Sequence, residues 1–565
     1  MTPRVRAWGL IWLSAVLLIA CSSAPAPTPL PTPVPSEPPP ATATTPASPT
    51  PQPGSVYTPT PPPQVATPAW FADAILYEIF VRSFYDTNAD GIGDLAGVTA
   101  RLDYVQGLHA GAIWLLPIHP SPSYHGYDVT DYFAVNPDYG TLEEMQALVK
   151  AAHEKGIKVI MDLVVNHTSD QHPFFVDAYG NPQSKYSDWY LWTNDAHTAY
   201  RSFGGYKAMP KLNHENPEVV DYVLKIARFW MDLDGDNDYA DGVDGFRCDV
   251  AMEVPLNTWQ LLRKEMRSLN PNSLLLGEVW DMNARKLTGW YKDAFDALFN
   301  YPLYSDLAGS NNVSQDSLLA GVQRPDMVSL TLLAENKLFP PGYEIVQFLN
   351  NHDTNRVMSD VGSDWTRAQT ASTLLLTLPG TPMIYYGEEI GMKGEKGTGH
   401  PYWDEYRREP LDWYAAEAGP GMTTWFKPVN RNIQPDDGIS VQEQSEVAGS
   451  LLEHYRALAA LRLTHPALLR GSFVPVQITG SQMVFGYTRH TPAGSSSPEE
   501  LFLVVLNLGG EAQEVTLELS PAYLGPYSAV DVLSGEAWPD VPAGQPYAVK
   551  LDPASGVVLQ LSRKP

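Results

Sequence analysis

Between residues 70 and 470 two patterns alternate along the chain. Short, continuous apolar runs bounded by turn residues recur at 75–80, 111–117, 158–165, 245–250, 274–279, 297–302 and 344–349. Runs of this length, without polar alternation, predict strands buried on both faces, as in a parallel sheet. Between them lie segments with an apolar residue about every 3.6 positions, at 95–108, 141–156, 218–233, 368–378 and 451–469, which predict amphipathic helices. Strands and helices in alternation read as a βα repeat. From residue 473 the period changes, and short alternating runs such as 500–507 and 557–561 predict an antiparallel β-sandwich.

Four of the strands end in reactive side chains. In 245–250, Arg247 and Asp249 fall on one face and Phe246 and Cys248 on the other. A carboxylate and a guanidinium at the end of a buried strand are costly unless paired or used, so a structural ion pair and an active site both account for them. The run 158–167 carries Asp162 and closes on Asn166 and His167, 274–280 delivers Glu278, and 344–353 delivers His352 and Asp353. Parallel strands that each present polar residues at their C-terminal ends define the layout of a (β/α)8 barrel with its site on the top face.

These four segments resemble, in order, the strand motifs of the α-amylase family, the retaining α-glucan-active glycoside hydrolases. The resemblance covers roughly 70–470 and extends to 382–389, which is similar to the family's eighth-strand motif. It implies a catalytic TIM barrel at 70–471, an inserted domain at 168–216 after the third strand, and a C-terminal β-sandwich at 472–565. The lapse of the helix–strand rhythm after His167 is consistent with such an insertion. Carried onto this chain, the resemblance implies Asp249 as nucleophile, Glu278 as general acid and base, and Asp353 as binder of the sugar 2- and 3-hydroxyls. His167 and His352 would be hydrogen-bonding partners there. Arg247 would keep Asp249 ionised, and Asp162, with Asn166 nearby, would order Arg247. Tyr127 would stack on the attacked glucose while His125 bonds to it.

Composition changes the picture mainly at the N-terminus. Arg4 and Arg6 precede an apolar stretch too short to span a bilayer, so 1–21 reads as a signal peptide. Leu18, Ile19, Ala20 and Cys21 resemble a bacterial lipobox, which implies lipidation of Cys21 and an extracellular, membrane-anchored enzyme. Residues 22–69 are roughly a third proline and read as a disordered, semi-rigid tether reaching on the order of 100 Å or more. The net charge of -27 argues against nucleic acid as a partner, and a monomer is expected. The chain has two cysteines, so no disulfide framework is available, and Cys248 reads as a core residue.

Two acidic loops suit hard cations. In 86–94, side-chain oxygens alternate along a glycine-eased bend. The loop resembles the calcium loop of oligo-1,6-glucosidase-like relatives, which implies a structural Ca2+ held by Asp86, Asn88, Asp90, Asp94 and the Ile92 carbonyl. A polar turn closed by its own side-chain to backbone bonds is the other reading. The second loop, 232–241, expected on the bottom face, reads either as a cation site or as a solvated acidic turn.

The expected activity is hydrolysis of α-1,4-glucosidic bonds in starch and maltooligosaccharides by double displacement. The alternatives are a neopullulanase- or cyclomaltodextrinase-like or α-1,6-tolerant enzyme, or a 4-α-glucanotransferase with the same catalytic residues. Two features lean toward neopullulanases: Met209-Pro210-Lys211-Leu212-Asn213, similar to their fifth short motif, and Val250 after the nucleophile, followed by Glu253 where many amylases carry histidine. Many amylases carry a Lys-His pair shortly beyond the nucleophile; its lack here is expected to leave the leaving-group side without a cationic grip, and alternation turns Val250 to the face opposite Asp249. The mixture resembles an intermediary group between oligo-1,6-glucosidases and neopullulanases.

Overall fold

The computed structural model describes residues 67–309, 317–397, 403–427, 432, 434–494, 498–523, 525–542 and 544–564. The expected signal peptide, Cys21 and the expected tether up to residue 66 lie outside them. Thr67, Pro68 and Ala69, expected in the tether, are already part of the barrel, Ala69 opening a short helix to Ala72. Thr67 donates its hydroxyl to Asp296 O (2.6 Å) and its N–H to Gly342 O (2.9 Å).

Eight parallel strands close in sequence order: β1 (Leu76–Ile79), β2 (Ala112–Leu115), β3 (Lys158–Leu163), β4 (Gly245–Cys248), β5 (Leu274–Gly277), β6 (Ala297–Phe299), β7 (Glu344–Phe348) and β8 (Thr381–Tyr385), with β8 pairing back to β1. The strands are buried almost throughout, which is why their sequences are apolar on both faces. The connecting helices are stopped as their sequences dictate. Thr141 and Glu144 form a capping box ahead of the helix Leu142–Glu154, and Gly156, at φ 75°, takes the left-handed turn beyond it.

Three elements differ from the sequence reading. The helix expected over 95–108 is two, Leu95–Ala100 and Leu102–Gly107, broken at Arg101, whose guanidinium lies 3.9 Å over Tyr85 and 4.5 Å over Trp413. The last barrel helix stops at Thr464 and restarts at Pro466, because Pro466 restricts His465 and cannot donate an N–H. The sixth strand ends at Phe299, since the Asn300 side chain accepts from Leu303 N (3.0 Å) and caps the helix Tyr301–Ala308.

Residues 168–216 hold a small aromatic core of Phe175, Trp189, Tyr190 and Leu212. Beyond the barrel, β9 (Ser472–Pro475), β11 (Val484–Thr491), β12 (Glu500–Asn507), β14 (Tyr527–Asp531), β15 (Ala537–Val541) and β17 (Gly556–Arg563) form a six-stranded antiparallel sheet. A three-stranded sheet of β10 (Gln477–Thr479), β13 (Gln513–Glu518) and β16 (Tyr547–Leu551) accompanies it, with a shared apolar core that includes Val474, Leu503, Val515, Val549 and Leu559.

Candidate active site

The closed barrel brings the strand-end side chains to one place. Arg247, 1% exposed, is the hub. Its Nη1 donates to Asp162 Oδ1 (2.9 Å) and Asp249 Oδ1 (2.9 Å), and its Nη2 lies 2.6 Å from Glu278 Oε1. Trp114 on β2 supports the guanidinium from 4.9 Å. One cation is thus shared among three buried carboxyl groups, Glu278 joining the Asp249 and Asp162 expected beside it. Burial pushes Asp249 well above the usual carboxylate range against the pull of Arg247, and Glu278 and Asp162 add to the rise. Asp162 is lifted by burial to about 6, with Arg247 and His352 opposing. Three carboxyl groups around one guanidinium favour a proton held within the cluster.

Asp249 Oδ2 is buried and has no hydrogen-bond partner, an exception to the rule that buried polar atoms are satisfied. Glu278 is held at both oxygens, with Oε2 accepting from Val250 N (2.9 Å) and Oε1 from the Tyr301 hydroxyl (3.4 Å). Val250 does not continue the strand alternation. β4 ends at Cys248, and Val250 turns left-handed at φ 44°, ψ 45°. A β-branched residue adopts this conformation only where its surroundings impose it, and here the turn brings its N–H to Glu278.

Asp353 stands at the mouth of the site with its side chain 41% exposed. His352 Nε2 lies 3.1 Å from its Oδ2, and Arg408 Nη2 donates to its Oδ1 (2.8 Å). Burial would lift Asp353, but His352, Arg408 and Arg407 outweigh it and hold the carboxyl well below its usual range. His352 is also bound through Nδ1 to Glu78 Oε1 (2.6 Å). Burial disfavours its charge, yet Asp353 and Glu78 prevail and raise it to about 9.

Tyr127 is stacked on His352 at 5.7 Å and 11°. Its hydroxyl lies 2.7 Å from His352 Nε2 and donates to Asp162 Oδ2 (3.1 Å). His125 Nδ1 accepts from Tyr127 N (3.1 Å), and burial lowers this histidine to about 4. His167 is fully buried behind them. Its Nε2 meets Tyr127 O (3.0 Å), its Nδ1 meets Asn166 Nδ2 (3.1 Å), and its ring stacks on Phe203 at 5.2 Å. Burial lowers it to about 3. With both nitrogens engaged by protein, His167 supports the Tyr127 segment in this state rather than facing the cleft.

Glu78, Trp114, Tyr301 and the pairing of Arg408 with Asp353 escaped the sequence reading. Glu78 carried one signal, a carboxylate inside a strand buried on every residue, which demands a partner. Beyond the nucleophile, Lys211 reaches Glu253 Oε2 (2.7 Å). The inserted segment thus brings a cation to the stretch after the nucleophile, and Glu253 neutralises it.

In the 86–94 loop every turn bond is formed. Asp86 accepts from Asn88, Ala89 and Gly91 N–H groups, Asp94 from Thr87 and Gly97, Asn88 from Asp90, and Asp90 from Ile92 (2.6–3.1 Å). The donor set also suits a hard cation, because a carboxylate oxygen that accepts one N–H keeps a lone pair. In the acidic loop, Asp232, Asp234 and Asp236 place carboxylate oxygens within 4.8 Å of one another.

A parallel barrel whose strand ends converge buried carboxyl groups on an arginine defines a barrel glycosidase. The α-amylase catalytic-domain model matches residues 78–471, and the chain belongs to the α-amylase family. It is 36% identical over 497 residues to α-amylase 3 of Dictyoglomus thermophilum, covering 82% of this chain and 93% of that one. It is 30% identical over 501 residues to neopullulanase 2 of Thermoactinomyces vulgaris, covering 83% and 75%. The α-amylase structure from H. orenii superposes with a TM-score of 0.73 at 34% identity, covering 86% of this chain and 99% of that one.

Proposed function

We propose that this enzyme hydrolyses α-1,4-glucans outside the cell by double displacement with retention of configuration. The observation that carries the reading is the unpartnered, buried Asp249 Oδ2 beside the Arg247 cluster. That oxygen attacks the anomeric carbon while Glu278 acts as general acid and gives a proton to the glycosidic oxygen, and the shortened chain leaves. Glu278 then takes a proton from water, which breaks the glycosyl ester and restores Asp249. Asp353, held by His352 and Arg408, binds the sugar hydroxyls, and the neutral His125 hydrogen-bonds beside it. Calcium in the 86–94 loop, held by Asp86, Asn88, Asp90, Asp94 and the Ile92 carbonyl, is structural in this reading. Export and anchoring through lipidated Cys21 rest on the sequence of 1–21.

Linkage tolerance follows from the leaving-group side. Val250 follows the nucleophile, and Lys211, paired with Glu253, is not free to grip an α-1,4 chain. Differences of this size are worth about 1–3 kcal/mol, a shift in preference rather than an exclusion. Product profiling on amylose, pullulan and cyclodextrin tests the reading. Amylose and maltooligosaccharides are expected to be degraded fastest, with slower release of panose or maltotriose from pullulan. No product from pullulan under conditions that degrade amylose completely would refute the tolerance. Chain redistribution without new reducing ends would make the enzyme a glucanotransferase.

A further inference from the structure

The turn after β8 sends an acid back into the interior that the proposed chemistry does not use. Gly387, at φ 82°, reverses the chain, Met392 N donates to Gly387 O (2.9 Å), and Glu388 ends 1% exposed. Its neighbours are a hydroxyl, an amide and a second acid rather than a cation. Oε1 accepts from the Tyr455 hydroxyl (2.6 Å), Oε2 accepts from Asn350 Nδ2, and Glu389 adds its negative charge. Glu389 is itself held by the hydroxyls of Tyr77 (2.7 Å) and Tyr104 (2.5 Å). A buried acid without a counter-charge is costly, and an apolar side chain of similar volume would avoid that cost. What the acid offers in return is its two bonds.

Those bonds join elements far apart in the chain. Tyr455 lies on the helix Leu451–Thr464, and Asn350 follows β7. Asn350 is fully buried and uses its other end as well: its Oδ1 accepts from Val357 N (2.7 Å). One side chain thereby closes the loop 350–357 at its base. Inside that loop Asn351 makes a tighter turn. Its Oδ1 accepts from Asp353 N (3.0 Å), its carbonyl from Thr354 N (3.2 Å), and its N–H donates to Thr354 Oγ1 (2.9 Å). His352 and Asp353 form the tip. Without the Glu388 acceptor, the Asn350 amide would be left unsatisfied in the interior, and turning to another partner would release Val357.

We infer that Glu388 is a positioning residue for the reaction: through Asn350 it fixes the base of the 350–357 loop and so holds Asp353 and His352 where the sugar hydroxyls bind. The inference rests on the assignment of Asp353 to those hydroxyls. A displacement of about 1 Å in a positioned group costs on the order of a hundredfold in rate. Burial lifts Glu388 to about 8 against the bonds from Tyr455 and Asn350, with Glu389 adding to the rise, so near neutrality the acid carries a proton. Glutamine reproduces that form, with an oxygen for the Asn350 amide and an N–H for the Tyr455 oxygen.

Steady-state kinetics of the full chain on maltoheptaose test this. Glu388→Gln is expected to stay within about threefold of wild type. Glu388→Leu, similar in volume but without an acceptor, is expected to lose about tenfold or more in kcat with a smaller change in KM. In an Asp353→Asn background the leucine substitution is expected to cost little further, because the group it positions is already gone. A leucine loss that adds in full to that of Asp353→Asn, or glutamine and leucine variants that perform alike, overturns the inference and leaves Glu388 as a packing residue. Asp353→Asn without effect on turnover would instead remove the reading of Asp353, and the inference with it. Should Glu388→Leu fail to fold, Asn350→Ala in the same two backgrounds decides: a loss that vanishes beside Asp353→Asn supports the inference, and one that adds in full overturns it.

Discussion

Asp249, Glu278 and Asp353 differ in surroundings as their roles require: one oxygen unpartnered, one carboxylate held at both oxygens, one at the mouth between two cations. Asp249→Asn, Glu278→Gln and Asp353→Asn are each expected to lower kcat on the order of a thousandfold or more with the fold retained. An Asp249→Asn protein keeping about a tenth of wild-type turnover, with an unchanged unfolding curve, would remove the assignment. Glu78 acts through His352. The imidazolium, charged below about 9, can donate from Nε2 to Asp353 while Nδ1 donates to Glu78, and it loses the first of these bonds as pH rises through that value. Glu78→Gln removes a negative neighbour, so the histidine loses its proton at lower pH. The alkaline limb of kcat/KM is expected to move down by about a pH unit or more. A limb that stays in place would show that Glu78 is only a packing residue.

At the scale of elements, the site depends on loops that the barrel strands launch and tight turns hold. The 86–94 loop follows β1 and meets the segment after β8, where Thr424 and Trp425 N–H groups both donate to Gly91 O (2.7 and 2.9 Å). A cation bound only by the folded loop stabilises by about 2.7 kcal/mol at a hundredfold excess over Kd. Calcium is therefore expected to raise Tm, and Asp90→Ala, at an exposed position, to lose the part of that rise due to this loop. Unfolding curves for wild type and Asp90→Ala that respond identically to EDTA would leave 86–94 as a hydrogen-bonded turn. The turn at Val250 shows how an element's end escapes pattern reading. Alternation holds only while the strand lasts, and the left-handed residue beyond Cys248 was set by the partner of its N–H, Glu278, which follows another strand, β5.

For the whole molecule, what was legible in the sequence was what repeats. Parallel barrels put polar residues at strand ends, so apolar runs closing on Asp162, Arg247, Glu278 and His352 announced both the fold and the site. What was not legible depends on closure. Glu78 meets His352 because β1 pairs with β8 beside β7, and the pairing of Arg408 with Asp353 joins residues 55 positions apart in the chain. Lys211 reached Glu253 only through the placement of the inserted segment, which no period in the sequence encodes. The central claim, retaining hydrolysis of an α-glucan, is tested most directly by following the anomeric protons of maltoheptaose products by NMR from the first seconds of reaction. The account expects new reducing ends to appear first as the α-anomer and then to mutarotate. Appearance of the β-anomer first would contradict it, because a single displacement by water leaves Asp249 no nucleophilic role.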